Sequence, residues 1–100
     1  MLPQIIVTNQ QKLVDLAQSH DISFLGLYGS YARGQENDQS DMDLLVDFEQ
    51  SKGLLEIAFI EGEFEKVLGA KVDLVTRQGL SKYVKPYIQD DLTVIYAKKS

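Results

Sequence analysis

Phe24-Leu25-Gly26-Leu27-Tyr28-Gly29-Ser30-Tyr31-Ala32-Arg33-Gly34 is the stretch from which the rest of the chain is read. Its first five residues are short-range, apolar and bounded by Gly29, the pattern of a buried strand that ends in a tight turn. Gly29 has no side chain to keep a ligand away from the backbone. Ser30-Tyr31-Ala32-Arg33 reads as the start of a short helix, whose first amides have no intrahelical acceptors. An anion placed before them meets free N–H donors and the positive end of the helix dipole. Ser30 adds a hydroxyl donor, and Gly34 closes the turn.

The next six residues, Gln35 to Ser40, are all polar and read as a loop. Asp41-Met42-Asp43-Leu44-Leu45-Val46-Asp47 then alternates before becoming continuously apolar, as a strand entering a core does. Residues two apart on a strand share a face, so Asp41 and Asp43 project together while Met42 points away. Two ionised carboxylates that close repel, and a hard divalent cation such as magnesium relieves the repulsion. Asp73 interrupts a third apolar run, Lys71-Val72-Asp73-Leu74-Val75. A charge within a strand beside a core needs a partner or a metal. If the two strands are neighbours, three carboxylates can hold two ions ~4 Å apart, the arrangement used for in-line phosphoryl displacement. Taken singly, Gly29-Ser30 is an ordinary turn, the Asp pair is a solvated strand end, and Asp73 pairs with Lys71 or Arg77. Their order and spacing together point to moving a nucleotide from ATP to an acceptor. An EF-hand is excluded because Leu45 and Val46 stand where an oxygen ligand and Gly would be needed. No Walker loop or dinucleotide fingerprint occurs either.

Gly29-Ser30-Tyr31-Ala32-Arg33-Gly34, Ser40-Asp41-Met42-Asp43-Leu44-Leu45-Val46 and Val72-Asp73-Leu74-Val75 together resemble the minimal nucleotidyltransferase (MNT) domain of the polymerase-beta superfamily. In particular they resemble the MNT antitoxins that pair with HEPN ribonuclease toxins, and the likeness runs from about the first helix to the C-terminus. The resemblance implies an α+β fold: a small mixed β-sheet with helices packed on it, one nucleotidyltransferase domain over residues 1–100. It implies that Gly29 and Ser30 hold the triphosphate, that Asp41, Asp43 and Asp73 bind two Mg2+ ions, and that Asp73 accepts the proton of the attacking hydroxyl. Arg33 is carried over as a contact to phosphate or to the partner. The implied activity is Mg-dependent transfer of AMP from ATP to a hydroxyl, a tyrosine, of a HEPN toxin, which silences the toxin in a hetero-oligomeric complex. The alternative is an antitoxin that neutralises its partner by occlusion without chemistry.

Composition narrows the classes further. One hundred residues at 44% hydrophobic suffice for a single core. With no Cys there is no disulfide framework, zinc ribbon or thiol nucleophile, which fits a reducing compartment. The apolar runs are too short to span a bilayer, so the expected location is the cytoplasm. A formal charge of −5 disfavours direct nucleic-acid binding and suits a basic protein partner.

The remaining segments supply scaffolding. Asn9 is expected to cap a helix through about Ser19, with Leu13, Leu16 and Ala17 at helical spacing. A second helix over Leu54 to Leu68 is expected to bury Leu54, Ile57, Ala58, Phe64, Val67 and Leu68, with Gly69 stopping it. Its Glu56, Glu61, Glu63 and Glu65 read as solvated, and Gly62 marks a kink or a close contact. A third helix around Leu80 to Gln89 contains Pro86, and Leu92 to Tyr96 forms a last strand before a solvated tail. His20 reads as a surface residue at a helix end, and Tyr31 as a candidate for a substrate or partner contact.

Overall fold

The computed structural model describes residues 2–37, 40–77, 79 and 91–99. Within them the chain runs α1 (Gln4–Thr8), α2 (Gln10–Ser19), β1 (Ile22–Tyr28), α3 (Ser30–Arg33), β2 (Met42–Phe48), α4 (Leu54–Leu68), β3 (Val72–Thr76) and β4 (Thr93–Ala97). The expected helix around Leu80 to Gln89 lies outside the described residues. The strands form one mixed sheet in the order β3-β2-β1-β4. β1 is antiparallel to both β2 and β4, whereas β2 and β3 are parallel. A parallel pair cannot be closed by a hairpin, and α4 is the crossover that joins it.

Register sorts the side chains onto two faces. Leu25 lies opposite Val46, Leu27 opposite Leu44, Met42 opposite Val72 and Leu44 opposite Leu74. All of these are buried in one cluster with Ile6 of α1, Leu13 and Ala17 of α2, and Ile60, Phe64 and Leu68 of α4. The helices thus cover one face of the sheet. The alternate residues Tyr28, Asp43 and Asp73 share the other face, as the two-residue period of a strand requires.

Several expectations are corrected in detail. Asn9 does not cap α2 through its side chain. Its Nδ2 donates to Ile5 O at 2.8 Å, closing a preceding helix, α1, that the β-branched run Ile5-Ile6-Val7 conceals. β1 begins at Ile22, earlier than its apolar run suggests, β2 runs Met42–Phe48, and β4 runs Thr93–Ala97. Helix α4 has the expected bounds, and Gly69 ends it in the left-handed conformation with its N–H on Glu65 O at 2.8 Å. Phe64 and Leu68 are buried as expected, with Ile57 and Val67 partly buried against the core, and Ile60, not expected, joins them at a four-residue spacing. Leu54 and Ala58, by contrast, are exposed. His20 is half-buried and meets the Phe59 ring edge-on at 6.3 Å between centroids. The tail is anchored at Lys98, whose amide donates to Ser23 O and whose ammonium pairs with Glu49.

The glutamates of α4 divide by function. β3 is an edge strand, and the amides of alternate residues on its outer side have no neighbouring strand to receive them. Val72 N–H donates to Glu65 Oε2 at 3.0 Å and Leu74 N–H to Glu61 Oε2 at 2.8 Å. Glu61 and Glu65 are therefore not simply solvated: a four-residue helical spacing meets a two-residue strand spacing and seals the edge. Among the described residues no helix is long and apolar enough to cross a membrane.

The seal predicts that Glu61→Ala lowers stability by about 1–2 kcal/mol, because it strands a part-buried amide. Glu56→Ala, at an exposed position on the same helix, should stay within about 0.5 kcal/mol. Urea unfolding of the two variants distinguishes them, and equal midpoints would remove the edge-sealing role.

Candidate active site

Gly29 is placed by the end of β1 and adopts φ +79°, ψ −155°, a backbone state that side chains scarcely tolerate. Space demands Gly as well, because a Cβ there would collide with Asp43 Oδ2. The turn consequently lies directly against the Asp43 carboxylate. α3 follows, and its first internal bond is Arg33 N–H to Gly29 O at 3.1 Å. The amides of Ser30, Tyr31 and Ala32 precede that bond and have no intrahelical acceptor. Gly34 closes the turn at φ +69°. Free amides, the Ser30 hydroxyl and an acidic group are thereby gathered at one end of the sheet.

Asp43 sits on β2 between two register partners, Tyr28 on β1 and Asp73 on β3. Adjacent strands are ~4.8 Å apart, so the Asp43 and Asp73 carboxylates emerge side by side on the face opposite the one that α1, α2 and α4 cover. Asp73 is exposed and Asp43 partly buried. Asp41 is exposed, immediately ahead of β2. Neither Lys71 nor Arg77 neutralises Asp73: Arg77 Nε bonds Asp47 Oδ2 at 3.1 Å, with its guanidinium 4.2 Å over the Phe24 ring. Burial pushes the Asp43 carboxyl above its usual value, and the charges of Asp73 and then Asp41 push it the same way. Arg33 opposes them weakly. Its guanidinium is held away by Asp91, Nη1 to Oδ2 at 2.6 Å, and by Gln35.

Tyr28 is the residue of this face that sequence reasoning overlooked. Its hydroxyl is pushed up to about 12, first by burial and then by Asp43 and Asp73. It stays protonated at neutral pH and so remains a hydrogen-bond donor beside the carboxylates. Only the pairing of β1 with β2 reveals it, and that pairing has no local signal.

Among the described residues no three His, Cys, Asp or Glu side chains are grouped closely enough to hold a metal ion, so Asp41 does not join Asp43 and Asp73 in the three-carboxylate cluster expected from the sequence. The donor set nevertheless fits a hard divalent ion. Asp43 and Asp73 offer carboxylate oxygens from adjacent strands, their mutual repulsion is relieved by positive charge, and magnesium keeps water and phosphate oxygens in its remaining positions.

Residues 11–100 match the family described as "Polymerase beta, Nucleotidyltransferase". The chain belongs to this family. It is similar to the protein adenylyltransferase MntA of Thermococcus cleftensis, 39% identical over 75 residues that cover 75% of this chain and 74% of the relative. It is also similar to a solved, provisionally named minimal nucleotidyltransferase, at 30% identity and TM-score 0.76, covering 88% of this chain and 90% of the other. The same fold occurs in the complex of a tri-AMPylated Shewanella oneidensis HEPN toxin with its MNT antitoxin, at TM-score 0.72 and 17% identity, covering 92% and 72% of the two chains. The α+β arrangement of these nucleotidyltransferases, a mixed four-stranded sheet with helices on it, is the arrangement found here.

Two outcomes follow from the geometry. Gly29→Ala is expected to cost about 2 kcal/mol or more in stability, from backbone strain and displacement of Asp43; thermal melts report it. The second concerns pH. A raised Asp43 pKa means that the folded state holds this proton more tightly than the unfolded chain does. Stability is therefore lost as pH rises from the ordinary carboxylate value through the raised one. Asp43→Asn should raise the metal-free melting temperature at pH 7, and the gain should vanish as pH falls below that window. An unchanged or lower melting point across the range would refute the repulsion.

Proposed function

We propose that this chain is an antitoxin that transfers AMP from ATP to a hydroxyl, a tyrosine, of a HEPN-type ribonuclease toxin and thereby silences it. The observation that carries the reading is the in-register pair Asp43 and Asp73 on the sheet face away from α4, with the Gly29 turn pressed against Asp43. Membership in the nucleotidyltransferase family supports it. So do the adenylyltransferase name of the Thermococcus relative and the AMPylated toxin in the Shewanella complex.

In this reading the amides of Ser30 and Tyr31 and the Ser30 hydroxyl bind the triphosphate, and Gly29 lets its oxygens approach the carboxylates. Asp41, Asp43 and Asp73 would hold two magnesium ions, which when bound neutralise charge on the entering and leaving oxygens. Asp73, the most open of the strand carboxylates, accepts the proton of the acceptor hydroxyl. The hydroxyl oxygen bonds to the α-phosphorus as the bond to the bridging oxygen breaks, and pyrophosphate leaves. Tyr28, protonated, stands beside this acidic row as a neutral group that adds no further charge. Arg33 stands at the rim, where phosphate or the partner can compete with Asp91 for its guanidinium. The formal charge of −5 suits a basic protein acceptor and not a nucleic acid, and the proposed compartment is the cytoplasm.

Incubating the chain and toxin with α-labelled ATP and magnesium tests the proposal. Label should pass to the toxin, and Asp41→Asn/Asp43→Asn should reduce transfer by ~100-fold or more. Neutralisation with no transferred label, or equal labelling by the variant, would leave occlusion as the mechanism. Magnesium with ATP should also raise the wild-type melting temperature, since ligands that bind only the folded state stabilise it.

A further inference from the structure

The solvent side of α4 is apolar where a surface helix is ordinarily polar. Leu54 and Leu55 are 87% and 90% exposed and Phe59 60% exposed. With exposed Ala58 and partly exposed Gly62 they form one stripe along the helix, because positions 54, 55, 58, 59 and 62 follow its turns. Gly62 is the informative member. Glycine within a helix is destabilising relative to alanine, so its presence calls for a reason. Nothing among the described residues supplies one: its φ is ordinary, the helix continues through it, and a Cβ there would meet none of them within 4 Å. An absent side chain at that point benefits only something approaching from outside.

Charge identifies the occupant. Glu56 and Glu63 follow one flank of the stripe, and Glu61 and Glu65 the other, where they accept from the β3 amides. Glu63 has no ion pair among the described residues, whereas Glu56 shares Lys52 with Asp21. Two copies of a −5 chain would bring these glutamate rows together, and an anionic membrane would be repelled. A helix with an apolar ridge and Lys or Arg on its flanks satisfies both the stripe and its borders. We propose that the outer face of α4 docks such a basic amphipathic helix of the toxin, its ridge seated over Ala58 and Gly62 between Leu55 and Phe59.

This rests on the antitoxin reading above and deepens it. The stripe faces away from the sheet, roughly 15 Å or more from Asp43 and Asp73 across a helix and the sheet. Docking and AMP transfer are therefore separable, and the test exploits that separation. Binding of the purified HEPN toxin to the full chain is measured by calorimetry for wild type, Leu55→Asp/Phe59→Asp, Gly62→Leu, Glu56→Lys/Glu63→Lys and Asp43→Asn. The first three variants should each weaken binding at least tenfold while keeping the melting-point rise with magnesium and ATP. Gly62→Ala should raise the melting temperature of the isolated chain, confirming that the glycine serves no internal purpose. Asp43→Asn should bind normally and transfer nothing. Unchanged affinity of the stripe variants, no binding by wild type, or a dimer of the chain alone that Leu55→Asp dissolves would each overturn the docking surface. Tight stripe-dependent binding without AMP transfer by wild type would instead overturn the enzymatic reading and leave the surface standing.

Discussion

Two like charges, Asp43 and Asp73, have to be kept a strand spacing apart while the protein folds, and much of the molecule can be understood as the means of doing so. Neither strand would choose this alignment on electrostatic grounds, since the burial and repulsion that raise Asp43 oppose it. It is imposed from the opposite face of the sheet. Met42 with Val72, and Leu44 with Leu74, are paired beside the carboxylates and buried under α4. A slip of one residue would turn both apolar pairs outward, at a loss of several buried side chains. Hydrophobic burial on one side thus sets an unfavourable charge arrangement on the other, and the arrangement becomes favourable when a cation arrives.

Gly29 extends the same logic to the substrate. A turn lined by free amides would be of little use at a distance from the acids, and any side chain at this position would force that distance open. The conformational freedom of one residue therefore sets how near the anion-binding and cation-binding halves of the site can come. Tyr28 completes the row from the neighbouring strand, adding a neutral donor where a further charge would add repulsion.

The strands and α4 were legible in the sequence because each is long enough to display its period. Alternation around Asp41, Asp43 and Asp73 already implied that the acids face away from the apolar set, although the order of strands that makes Asp43 and Asp73 neighbours was supplied by family resemblance. What local pattern could not reveal is equally specific. The helix Gln4–Thr8 has too few residues to show a period and is rich in β-branched side chains. In α4, Leu54 and Ala58 were assigned to the core because apolar residues usually belong there, whereas three-dimensional packing selected Ile60 to join the expected Phe64 and Leu68. Glu61 and Glu65 resembled ordinary solvated charges, since their acceptor role depends on strand amides more than six residues away in sequence. Tyr28 was silent for the same reason.

The bonds from Glu61 and Glu65 to β3 bear on how the protein behaves when crowded with copies of itself. An unpaired strand margin is a template onto which another polypeptide can add, and runaway addition leads to fibres. Here that margin is already occupied by carboxylates from the chain's own crossover helix, which also surround it with negative charge. Loss of those carboxylates would loosen the fastening and lower the repulsion at once, so a variant lacking both is the form in which this small protein would most readily turn to insoluble assembly.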